Sequence, residues 1–249
     1  MSKKVKQPEY IFINKGLFFP KQGILALGDL HLGYESMLKE QGMALPFNQN
    51  KITQEEVKFI LNEINFRGYS INKIVLLGDV KHYFRFEKSE FFEIRNFLKS
   101  LLDFVKEKDI ILIKGNHDKA ISENEGYRDF YISDDEKICF IHGHKNFPEI
   151  HHKSLKIIVM SHLHPAVILK DPQGIKKEKY KSFLVGKYKN KKFIIVPSFF
   201  PLIEGSEINE FYSDKFVFSI IPNEILKKFN VYVVGKNKVY EFGKLGDLN

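Results

Sequence analysis

The sequence predicts an α/β fold on three observations: five short apolar runs rich in β-branched residues, amphipathic segments between the first three of them, and a polar turn closing each run. The runs occupy residues 24–27, 74–77, 110–113, 138–141 and 157–160. Runs apolar at every position are the pattern of strands buried on both faces; a strand with one wet face would alternate. Residues 49–66 read as an amphipathic helix, with Thr53 as N-cap and Glu56 completing a capping box. Residues 87–106 read as a second, with Phe91, Ile94, Phe97, Leu98, Leu101, Leu102 and Val105 along one face. Strands alternating with helices imply parallel pairing through crossovers.

The turns carry the chemistry. They read Gly28-Asp29-Leu30-His31, Gly78-Asp79-Val80-Lys81-His82, Gly115-Asn116-His117-Asp118, His142-Gly143-His144 and Ser161-His162-Leu163-His164. All nine histidines fall between His31 and His164. Sites in open α/β sheets form beyond the carboxyl ends of the strands, so the five turns are expected at one rim. One Gly-Asp after a strand is an ordinary turn. Five such turns in succession point to a metal-binding or catalytic centre.

After His164 the pattern changes to strands joined by short turns, at 166–169, 182–188 and 193–196, with turns at 171–174 and at Asn190-Lys191. This is the mark of an antiparallel sheet, and the tail adds strand-like segments at 216–220 and 231–234. No linker or repeat interrupts the chain, so residues 1–249 are expected to form a single domain.

Composition excludes several classes. With 43% hydrophobic residues the chain has enough apolar surface for a substantial core, which excludes disorder. A single cysteine, Cys139, excludes an internal disulfide and Cys-rich zinc sites, and its apolar run makes it a core residue. No signal peptide and no membrane-length apolar segment is read, so the expected location is cytoplasmic. The formal charge of +8 favours polyanionic partners, but only four of the 39 cations are arginines, the usual bidentate phosphate binders. Residues 170–192 carry nine lysines among aromatics; a solvated hairpin guarding a sheet edge is the favoured reading over a phosphate-tracking surface.

Taken together, the turns resemble the signature blocks of the calcineurin-like metallophosphoesterase superfamily: Asp29-Leu30-His31, Gly78-Asp79, Gly115-Asn116-His117-Asp118, His142-Gly143 and Ser161-His162-Leu163-His164, all in order. The string from Gly28 to Glu35, His82 and the pair His164-Pro165 are similar to the SbcD-related branch, including its ligase-associated type. Two positions depart from the superfamily pattern: Ser161 stands where glycine is usual, and His82 where a second aspartate is usual. The resemblance implies a four-layer α/β/β/α sandwich of the metallophosphoesterase type. It also implies a two-metal phosphoester hydrolase, expected to be a phosphodiesterase or nuclease-like enzyme acting on DNA, RNA or nucleotides, with no membrane partner; the alternatives are a phosphomonoesterase, a cyclic-nucleotide or nucleotide-lipid hydrolase, and a non-catalytic scaffold on the same fold.

Carried over residue by residue, the resemblance makes Asp79 the carboxylate bridging two divalent ions. Asp29, His31 and His164 complete the first, and Asn116, His142 and His162 the second. A nitrogen and oxygen donor set without thiolate suits manganese, the working choice, with iron or zinc as alternatives. Paired cations about 3.5–4 Å apart activate water and clamp phosphoryl oxygens. His117 is expected as general acid or phosphate-orienting group, with Asp118 holding its ring tautomer. His82 is expected at substrate phosphate or behind the ligands, and His144 behind the ligands, at substrate or at the surface. His151 and His152 are expected in solvent. Tyr34 and Glu35 belong to the branch-like string or cap the segment 36–41.

Overall fold

The computed structural model describes residues 7–43, 46, 48–83, 88–120, 126–171, 173–210 and 219–248. The first sheet has six strands in the order β1 (Ile11–Ile13), β2 (Gly16–Phe19), β3 (Ile24–Leu27), β4 (Lys73–Leu76), β5 (Ile110–Ile113) and β6 (Tyr127–Arg128). The pairs β1–β2 and β2–β3 are antiparallel, and β3 to β6 run parallel. Between β3 and β4 lie α1 (Tyr34–Glu40) and α2 (Gln49–Phe66), and between β4 and β5 lies α3 (Lys88–Leu101).

The second sheet contains β7 (Phe130–Ile132), β8 (Ile138–Ile141), β9 (Ile157–Met160), β10 (Pro165–Lys170), β11 (Lys177–Tyr188), β12 (Lys191–Ile195) and β13 (Ser206–Glu207). After the short helix α4 (Asn223–Leu226), β14 (Asn230–Val234) pairs with β11, and β15 (Val239–Lys244) pairs with β14. The five apolar runs therefore divide between two sheets rather than lining one. The chain changes sheets at Asp129, between β6 and β7. β8 and β9 are parallel, but their connection contains a single 3-10 turn at Pro148–His151 instead of a crossover helix.

Three buried clusters define the layers. Alternate residues of β3 point to opposite sides: Leu25 and Leu27 pack with Ile60, Leu61 and Ile64 of α2 and Phe97 of α3, while Ile24 and Ala26 pack between the sheets. The inter-sheet layer joins Phe19, Val75 and Ile113 to Phe140, Val159, Phe183 and Ile194, with Phe12 stacked on Phe183 at 4.2 Å. The far face of the second sheet is covered by Ile150, Leu155, Leu226, Phe229 and Leu245. The architecture is a mixed α/β fold with two packed sheets. Among the described residues the fourth layer holds the four-residue α4 and 3-10 turns rather than long helices.

Local details correct four expectations. The cap of α2 is Asn48, whose side chain accepts the Lys51 amide at 2.8 Å; Thr53 is buried one turn inside the helix. The second helix ends at Leu101, because a tight turn, not another helical turn, brings Val105 back to the core. The β11–β12 turn is at Lys189-Asn190, both left-handed at φ 47° and 61°, as two-residue hairpins require. β12 also runs parallel to β9, so it is not part of a purely antiparallel sheet. The strand-like segment 216–220 falls largely outside the described residues.

Candidate metal centre

Five of the predicted ligands share an uncommon backbone. Asp29, His31, Asp79, His162 and His164 have φ of 50°, 47°, 47°, 69° and 45°. Asp and His tolerate the left-handed region better than most residues, yet each such position costs on the order of 1–3 kcal/mol and concentrates at functional sites. In Asp29-Leu30-His31 and His162-Leu163-His164 the apolar middle residue is buried in the core while its neighbours face the site. The turns are held edge to edge: the His31 and Leu32 amides donate to the Asp79 and Val80 carbonyls at 2.9 Å each.

Asp79 is the pivot. Its Oδ1 accepts the His117 amide at 2.9 Å, which leaves Oδ2 facing His31 Nε2 at 3.9 Å and His142 Nε2 at 3.5 Å. Gly115 makes this approach possible, since a Cβ there would lie 2.1 Å from Asp79 Oδ1. Two groups of donors meet at this carboxylate, one of Asp29, His31, Asp79 and His164, the other of Asp79, His142 and His162. In the first, His164 Nε2 lies 3.4 Å from both His31 Nε2 and Asp29 Oδ1. In the second, His142 Nε2 lies 3.1 Å from His162 Nδ1 and 3.0 Å from Asn116 Oδ1. The structure thus brings together all seven residues expected to hold metal.

The donor set fits cations. The Leu77 carbonyl, 2.8 Å from His142 Nδ1, can only accept, so that nitrogen carries the proton and Nε2 presents its lone pair. Burial pushes the His142 imidazolium down to about 3, so the ring is neutral. Its lone pair then faces Asn116 Oδ1, which also only accepts, an arrangement that a cation relieves. Asp29 and Asp79 are 0% and 2% exposed. Burial, and then the charge of Asp29, pushes Asp79 up to about 8; Asp29 stays low despite its burial because the His164, His142 and His31 rings surround it. Two buried carboxylates among imidazoles need positive charge to coexist in ionised form. The His/Asp cluster implies divalent metal ions.

The flanking residues refine the expectations. His117 Nδ1–H donates to the His82 carbonyl at 2.6 Å, so the carbonyl, not Asp118, sets the ring tautomer. Asp118 instead accepts the Asp79 and Gly115 amides on Oδ2, both at 2.8 Å, tying two turns together. The half-buried His82 ring lies 5.4 Å from that of His31, 5.5 Å from His117 and 4.6 Å from Tyr34. Burial, with the neighbouring His117, lowers His82 to about 4. His144 is half-buried with its ring 5.1 Å from His142, while His151 and His152 are exposed. Glu35 is buried and accepts the Gln49 amide at 2.7 Å, bracing α1 against α2. Ser161 accommodates the missing glycine: its hydroxyl donates to the Leu77 carbonyl at 2.9 Å, and the vacant side at Gly28 receives its Cβ.

Sequence reasoning missed the support from segment 198–200. Ser198 Oγ and the Phe200 amide both donate to the Asp29 carbonyl, at 3.1 and 3.0 Å, and the Phe200 ring lies 5.4 Å from His31. Lys181 reaches the Ser198 carbonyl at 2.8 Å and that of Phe200; Lys15 reaches the Phe199 carbonyl at 3.3 Å. The only signal was the apolar run through Pro197 and Pro201, which reads as core.

Among solved structures the chain is similar to the nuclease MPE of Pseudomonas putida, with 16% identity, 92% of each chain covered and a TM-score of 0.58. It also matches Vps29 from Entamoeba histolytica, solved with zinc, at 14% identity over 88% of this chain and 97% of that one, TM-score 0.39. No curated protein matches the chain significantly. The profile described as Calcineurin-like phosphoesterase matches residues 23–235. A profile spanning both sheets and every turn of the His/Asp cluster places the chain in the calcineurin-like phosphoesterase family, as a metal-dependent phosphoester hydrolase.

Proposed function

We propose that the protein is a two-metal phosphodiesterase or nuclease-like enzyme of the SbcD-related branch, cytoplasmic, acting on nucleic acid or nucleotides through one domain comprising residues 1–249. The carrying observation is that a single oxygen, Asp79 Oδ2, faces both donor groups. Asp29, His31 and His164 would hold one ion with Asp79, and Asn116, His142 and His162 the other. Manganese is the working choice, iron and zinc the alternatives. Bound divalent cations supply Lewis acidity toward phosphoryl oxygens and make water acidic enough to attack near neutral pH. His117 keeps Nδ1 on the His82 carbonyl, so Nε2, 4.0 Å from Asp79 Oδ2, is the nitrogen that once protonated would serve a leaving-group oxygen. His82 and half-buried Tyr34 form an aromatic wall on that side, suited to a base or sugar.

Six of the nine lysines between residues 170 and 192 have partners within the chain, which favours a solvated hairpin over a phosphate track. Lys170, Lys176, Lys179 and Lys192 pair with Glu210, Glu178, Glu207 and Glu9, while Lys181 and Lys191 cap backbone carbonyls. Among the described residues no helix is long and apolar enough to cross a membrane. The reading is tested by hydrolysis of bis-(p-nitrophenyl) phosphate with manganese, iron or zinc, followed by DNA, RNA and nucleotide substrates. Asp79→Ala is expected to abolish turnover and metal retention together. Turnover of monoesters alone would move the substrate class, and no turnover with any of the metals would defeat the reading.

A further inference from the structure

Glu90, in the first turn of α3, lies outside every signature block, yet it is 2% exposed directly beneath the centre. Its Oε1 accepts the His82 amide at 2.6 Å and the Tyr83 amide at 2.8 Å. The His82 amide is shared with the Leu32 carbonyl at 3.0 Å, while the Tyr83 amide donates to Glu90. That N–H belongs to the same planar peptide as the His82 carbonyl, and in a trans peptide the two point in opposite directions. The carbonyl accepts His117 Nδ1–H at 2.6 Å. Gripping the N–H therefore both orients the C=O and polarises it as an acceptor.

The surroundings are built for this grip. The Lys81 ammonium lies 3.8 Å from Glu90 Oε2 and donates to the Tyr83 carbonyl, so the buried carboxylate has a counter-charge. Gly33 leaves room for the Glu90 stem: a Cβ at that residue, itself at φ 92°, would lie 2.7 Å from Glu90 Cγ.

We infer that Glu90 is a positioning residue that sets the His117 tautomer through the His82–Tyr83 peptide. The relay runs from the Glu90 carboxylate to the Tyr83 N–H, through the peptide to the His82 carbonyl, and on to the His117 ring. With Nδ1 keeping its own proton, His117 Nε2 is the nitrogen that takes up a proton from solvent and delivers it to the leaving-group oxygen. This deepens the proposed function and rests on its assignment of His117.

The test is nitrogen-15 NMR of the His117 imidazole in the full chain, read beside steady-state kinetics and metal content. Wild type is expected to hold the Nδ1–H tautomer; an Nε2–H ring in the wild type overturns the inference without any variant. Glu90→Met, which keeps the buried volume, is expected to mix the tautomers and lower kcat by about tenfold or more, with KM and bound metal unchanged. Glu90→Gln, which retains the acceptor oxygen, is expected to restore the tautomer and most of kcat. A Glu90→Met protein with the wild-type tautomer and kcat overturns the inference. If the tautomer responds to Glu90 but wild type turns over no phosphodiester, the functional reading fails and the relay stands.

Discussion

Asp79 shows how a single side chain is divided between structure and chemistry. One oxygen is held by the backbone that follows β5, and the other is left to face imidazoles from both sheets. His117 is divided in the same way, with its amide on Asp79 and its Nδ1 on the His82 carbonyl. Replacing its ring leaves the seven expected metal donors in place, while removing one member of the group His31, His82 and His117 that could also hold an ion. His117→Ala is expected to keep the bound metal, measured by elemental analysis, while kcat for a phosphodiester falls by about 10²–10⁴-fold. Unchanged kcat would remove His117 from the chemistry. The residues found in the site were legible because their types are chemically restricted. The role of Asp118 was not, because a carboxylate next to a histidine reads the same whether it binds the ring or two distant amides.

At the level of elements, the site is made where strands stop. At two of the strand-ending turns, those of Gly78 and Gly115, the space left by glycine is taken up by an expected metal ligand. Gly78, at φ 94°, admits the His142 ring, whose Nδ1 would lie 2.6 Å from an added Cβ. Gly115 does the same for Asp79. Gly115→Ala is expected to lose most metal affinity by displacing the bridging carboxylate, and calorimetric titration with manganese checks it. Wild-type affinity in that variant would mean that the turn shifts without moving Asp79. Strand positions were readable from apolar runs, because burial on both faces leaves no polar alternation. Capping was less so: Asn48 and Thr53 are both good cap residues, and only the packing of Thr53 against the core shows which one lies outside the helix.

The whole molecule places charge in its interior away from the metal centre as well. Lys181 supports segment 198–200, and burial, reinforced by Lys15, pushes its ammonium down from 10.5 to about 7. Between these values the unfolded chain holds a proton that the folded chain has lost. This group's burial penalty is therefore full below about pH 7, and its contribution to stability rises as pH climbs toward 10.5, at a slope of at most about 1.4 kcal/mol per pH unit. Denaturant unfolding of wild type and Lys181→Met from pH 7 to 10 is expected to show that the difference in stability shifts in favour of wild type with pH. A constant difference would show that Lys181 does not titrate in this range.

By itself the sequence determined that the chain builds buried strands ending in Asp, His and Asn, because apolar runs and metal-type side chains are local properties of the chain. It also carried the order of the turns, and with it the resemblance to a phosphoesterase. Only the tertiary structure decided that the five runs divide between two sheets, since a run buried on both faces carries no mark of which partner strand buries it. The same holds for segment 198–200, Lys181 and Glu90. They support the centre through backbone carbonyls and amides, which every residue possesses, so nothing in their side-chain identity announces the partner they meet.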